Sequence, residues 1–160
     1  MNYFQLFAKF LYFYLAKNLD RFPEVAELRD VFSLEIRGKI NTLALSRNTQ
    51  YVAYLVFKLI DAHGLENHPV KLSVGVKGGH CITNSGCLEP YVRDMRFNNI
   101  KGLRRASVRN DGWLEIQMGE FFTSDLKDEE VLMSVIEKHG AYLKRGFFIE
   151  GIEVRTKKTI

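Results

Sequence analysis

Apolar and polar residues alternate along this chain in short runs, and a two-residue period marks strands with one buried face. Phe32, Leu34 and Ile36 stand against Ser33, Glu35 and Arg37. Leu114, Ile116 and Met118 form one side of the run Trp113 to Met118, and Asn110-Asp111-Gly112 just before it signals a turn. Tyr51 to Leu59 (YVAYLVFKL) is apolar on both parities, so it suits a strand covered on both faces, or one whose outer face meets another element. Val131 to Ile136 and Phe147 to Arg155 are further β-rich runs, and Val70 to Val76 is a weaker one. One short helix is expected, Pro23 to Asp30: Pro23 fits a first helical position, Glu24 favours the positive end of the dipole, and Val25 and Leu28 share a face. Tyr3 to Leu15 suits helix or strand. Residues from about 78 to 109 are expected to form a long irregular connection. Many strands separated by turns, with hardly any helix, imply an all-β sandwich or barrel.

The chain has 160 residues, enough for one domain. With 46% hydrophobic residues it can bury a core without metal or disulfide staples. Its net charge of +4 is compatible with nuclear import or weak contact with polyanions and establishes neither. Cys81 and Cys87 are the two cysteines, too few for a disulfide framework, although a local bridge between them stays open. No Asn-x-Ser/Thr acceptor occurs, which together with the cysteine count leans toward a reducing compartment. Tyr3 to Leu15 (YFQLFAKFLYFYL) is apolar but shorter than the roughly 20 residues a membrane span needs. No basic segment precedes it, so it is read as packing on the domain rather than as a secretory signal.

The chemistry of common enzymes is missing from the pattern. There is no Gly-x-Ser-x-Gly, and Val76-Lys77-Gly78-Gly79-His80 lacks the Gly-Lys-Ser/Thr ending of a phosphate loop. His63, His68, His80, Cys81 and Cys87 crowd one region without the spacing of a zinc site, so no metal and no cofactor are expected. Arg93, Arg96, Lys101, Arg104, Arg105 and Arg109, with Phe97 among them, could contact phosphates and stack on a base, but such runs are more often solvated loops. Nucleic acid is therefore not the expected main ligand.

Five segments occur in an order that resembles the phloem protein 2 family of plant lectins, which includes the tobacco lectin Nictaba. They are Glu24 to Leu28 (EVAEL), Leu34 to Ile40 (LEIRGKI), Tyr51 to Leu59 (YVAYLVFKL), Asp111 to Phe122 (DGWLEIQMGEFF) and Gly146 to Arg155 (GFFIEGIEVR). The resemblance runs over residues 24–157. It divides the chain into an apolar N-terminal segment, 1–22, that diverges from the family, and a lectin domain, 23–160. It implies a jelly-roll-like β-sandwich that binds N-acetylglucosamine oligomers and N-glycan cores without catalysis, in the nucleus and cytoplasm. The partners it implies are glycans or glycoproteins bearing that sugar, further proteins, and a second copy of the chain in a homodimer; no membrane is involved. Domains of this family also sit behind an F-box that recruits targets for ubiquitination.

The resemblance further implies a sugar site of two N-terminal aromatics and two acids. The acids match Glu130 and Glu137; Phe7 and Tyr14 stand where the family carries tryptophans. Sugars offer C–H faces that stack on rings and hydroxyls that need fixed acceptors. Phe7 and Tyr14 offer less stacking area than tryptophan, and core packing is the alternative for both. Glu130 and Glu137 are seven apart, so an unbroken strand would send them to opposite faces roughly 23 Å apart. Trp113, the single tryptophan, is read as a packed structural residue, with a sugar platform as the alternative.

Overall fold

Six of the runs picked out by composition and period are strands. The computed structural model describes residues 13–16, 25–28, 30–66, 68–91, 99–139 and 142–158. These form β1 (Phe13–Ala16), β2 (Val25–Leu28), β3 (Leu34–Asn41), β4 (Thr49–His63), β5 (Val70–Val76), β6 (Cys81–Cys87), β7 (Arg104–Arg105), β8 (Ser107–Val108), β9 (Leu114–Thr123), β10 (Glu130–Glu137) and β11 (Arg145–Thr156). They make two sheets. One has six strands in the order β1-β2-β11-β4-β9-β8, the other five in the order β3-β10-β5-β6-β7. All pairings are antiparallel except β6 with β7. The fold is all-β, as the alternation requires.

The two inner faces meet in one core. β4 contributes Tyr51, Ala53, Leu55 and Phe57, and β10 contributes Val131, Met133 and Val135 from the opposing sheet. Phe57 is fully buried and its ring lies 5.0 Å from that of Phe147 on β11. β9 carries a bulge: Ala53 pairs with Gly119 but Tyr54 with Gln117, leaving Met118 as the extra residue. Beyond it the inward parity changes, so that Phe121 turns inward and stacks on Tyr51 at 5.6 Å.

β4 is apolar on both parities because its outer face is covered too. There Val56 packs with Val25 of β2, Trp113 and the partly buried Phe148. Trp113 is 4% exposed, with the Lys58 ammonium 4.4 Å from its ring centre. It is a packing residue and offers no open face to a sugar.

Two expectations are corrected. Within the expected helix Pro23 to Asp30, Val25–Leu28 is a strand, paired with β1 on one side and β11 on the other. A helix of that length is marginal alone. Two strand partners satisfy the backbone while Ala26 and Leu28 enter the main core and Val25 the outer cluster. The stretch 78–109 is not one irregular connection, since β6, β7 and β8 lie within it. β6 pairs with β5 through a tight turn, in which Gly78 has φ +74° and the Val76 N–H donates to the His80 carbonyl at 3.2 Å. Its largely polar, edge-facing sequence hides it from a search for apolar alternation. Cys81 and Cys87 are free thiols at opposite ends of β6.

Candidate functional site

The acids singled out by the resemblance do not share a site. β10 pairs without interruption from Glu130, opposite Asn41, to Glu137, opposite Leu34. The two carboxyls therefore leave opposite faces at opposite ends of a regular strand, roughly 23 Å apart. Glu130 is half-buried and lies 3.6 Å from the Lys77 ammonium. Tyr14 lies in β1 opposite Glu27, in the other sheet. Phe7 lies outside the described residues. The connection 29–33 runs from Leu28, opposite Phe13, to Leu34, opposite Glu137. Of the two acids, Glu137 is thus the one at the end of the sandwich where β1 begins.

Glu137 itself is not open to a ligand. It is 4% exposed and forms an ion pair with Lys144, which is 1% exposed. Its other oxygen accepts the His139 backbone N–H at 2.6 Å. The Lys144 ammonium also donates to the carbonyls of Phe32, at 2.5 Å, and Tyr142, at 3.2 Å. Lys144 is held by a two-way backbone bridge to Val31. One buried cation thereby ties together the β2–β3 and β10–β11 connections. Burying two charges is costly unless the pair is close and its remaining hydrogen bonds are satisfied, and this arrangement supplies both.

The connections that carry this clamp also bring together rings that are far apart in the sequence. His68 stacks on His139, with centroids 3.8 Å apart and planes 8° apart, and Tyr142 leans on His68 at 5.6 Å. Burial pushes the Glu89 carboxyl above its ordinary range; a hydrogen bond with the Tyr91 backbone opposes this, and the charge of Glu66 adds to it. In the sequence His68 stands out only as one of a group of histidines and cysteines, and Lys144 carries no signal, because a single lysine before a strand reads as solvated. Among the described residues no group of three metal-ligating side chains comes together.

The outer face of the six-stranded sheet is a charged lattice. Arg109 pairs with Glu153 at 2.9 Å and with Asp111 at 3.1 Å. Arg155 pairs with Glu115 and Glu153 while its guanidinium covers the Tyr54 ring at 4.0 Å. Arg109 is therefore committed to carboxylates rather than free for phosphates. Arg93, Arg96 and Phe97 lie outside the described residues. Burial alone would raise the Glu153 carboxyl, but the hydrogen bond from Arg109 and the charge of Arg155 outweigh it and hold the group below its ordinary value. Its stabilisation is thus present above the unfolded-state value of about 4.3 and lost as pH falls through the lower folded-state value. The melting temperature is expected to hold steady above about pH 5 and to fall below about pH 4. Glu153→Gln should lower it at neutral pH and flatten part of the acid fall. An acid limb of identical slope in the variant would show that this carboxylate contributes nothing.

Two sheets packed face to face around one core define an all-β sandwich domain. The phloem protein 2 family model matches residues 9–156, from before the first described strand to the end of the last. The chain belongs to the phloem protein 2 family. It is 40% identical over 143 residues to F-box protein PP2-B10 of Arabidopsis thaliana, covering 88% of this chain and 51% of the relative. It is 42% identical over 156 residues to F-box protein PP2-B13 of the same plant, covering 84% and 55%. F-box protein VBF, also from Arabidopsis thaliana, is 39% identical over 158 residues, with 86% and 56% covered. The chain spans about half the length of these curated relatives.

Proposed function

We propose that this chain is a carbohydrate-recognition domain for N-acetylglucosamine oligomers and N-glycan cores, a binding module without catalysis that works in the nucleus and cytoplasm. The observation that carries this reading is the family match spanning every described strand of the sandwich. On this reading Phe7 and Tyr14 supply the aromatic stacking surface for the sugar. Retention on a chitin column and signals for N-acetylglucosamine-terminated chains on a glycan array are the expected results. A folded chain that is neither retained nor bound would overturn the proposal.

This surface makes a sharper expectation. Phe7→Trp/Tyr14→Trp enlarges the stacking area, and two such gains correspond to roughly tenfold tighter chitotriose binding. If the two positions are core, the larger indoles instead overpack and cost about 1–3 kcal/mol. Melting temperature and titration on the one double variant separate these opposite results.

A second reading has its own support. Relatives at about 40% identity are named F-box proteins, and Glu137 is sealed in an ion pair. The same sandwich would then recognise a target protein directly on behalf of a longer chain. Affinity capture with the glycosylated and the enzymatically deglycosylated form of a captured protein decides between them. Loss of capture on deglycosylation supports the lectin reading.

A further inference from the structure

Strand register gathers three connections at one end of the sandwich: 64–69 after β4, 88–91 after β6 and 138–144 after β10. The stacked rings of His68 and His139, the ring of Tyr142 and the carboxyls of Glu66 and Glu89 all belong to these connections. Tyr142 remains 44% exposed although its backbone carbonyl is fixed by Lys144. His139 is fixed in the same manner, through its backbone N–H to Glu137. The rings are thus carried on backbone that a buried ion pair holds in place, and a ligand need not bear the cost of ordering them.

We propose that this end of the sandwich is the sugar-contact surface, where His68, His139 and Tyr142 form a stacking platform for a pyranose ring and Glu66 and Glu89 accept its hydroxyls. The proposal rests on the carbohydrate-recognition reading and adds to it residues from three loops. The chemistry favours a sugar over an apolar peptide. Imidazole and phenol rings present flat faces with polar edges, and the Glu66 and Glu89 carboxyls lie on the neighbouring connections, which suits a ligand with C–H faces rimmed by hydroxyls. It also gives Glu137 a place in the site without contact: it is a positioning residue that sets His139 and, through Lys144, Tyr142. The same end carries the start of β1.

The clamp uses only backbone atoms of His139 and Tyr142, so their side chains can be removed without breaking it. Chitotriose is titrated into the wild-type chain, Tyr142→Ala and His139→Ala, with each melting temperature recorded. The expected result is up to about tenfold weaker binding in each variant at near-unchanged melting temperature. Wild-type affinity in both variants would overturn the platform while leaving the lectin reading intact. A wild-type chain that binds neither chitotriose nor any array glycan would overturn both.

Discussion

Glu137→Ala is expected to destabilise the domain by about 3–5 kcal/mol, because it leaves the Lys144 ammonium buried without its counter-charge. Lys144 is 1% exposed and cannot swing to solvent without releasing the carbonyls of Phe32 and Tyr142. A loss of that size lowers the melting temperature by on the order of 10 °C for a domain of this length. Replacing both partners by apolar residues of similar volume, Glu137→Leu with Lys144→Met, should recover much of the loss, since a buried pair is often replaceable where a half-pair is not. Thermal melts of the single and double variants check this. A single variant as stable as the wild type would mean that water reaches the pair and that the clamp does not exist.

Phe57→Ala should cost a similar amount, about 3–5 kcal/mol, through lost burial and the cavity left behind. Phe57 is fully buried at the middle of the six-stranded sheet, between Ile149 on β11 and Leu114 on β9, and packs on Phe147. Few neighbours could collapse into the gap, because both flanking strands are pinned by their ladders. Urea denaturation gives the size directly, and a cost under about 1 kcal/mol would show that the core is not closed at this point.

The fold was legible where burial is one-sided. Leu34 and Ile36 on β3, or Leu114 and Ile116 on β9, alternate with polar neighbours because only one face meets the core, and that asymmetry is written in the sequence. The double-sided run of β4 was legible for the same reason, since Trp113 and Val25 cover its outer face. Legibility failed where tertiary pairing overrode local preference. Val25 to Leu28 satisfies helical spacing equally well, and only β1 and β11 on either side make it a strand. It also failed at β6, whose CITNSGC sequence depends on β5 for its conformation and has little apolar signal of its own.

The site was less legible than the fold because its parts lie far apart in the sequence. Glu137 was found by resemblance, but its role depends on Lys144, and nothing in the sequence marks a lysine as buried. The spacing of seven between Glu130 and Glu137 did foretell their separation, because β10 has no bulge to bring them to one face. His68 and His139 are 71 positions apart and stack only because β10 lies beside β5, so no local motif could announce them.

The most direct test of the central claim is a calorimetric titration of chitotriose into the folded chain at physiological and at high salt. Saturable binding in the micromolar range is expected, with little change as salt rises, since stacking and hydroxyl contacts, unlike phosphate contacts, release few counterions. A correctly folded chain that gives no binding heat at either salt concentration, and is not retained on chitin, would contradict it.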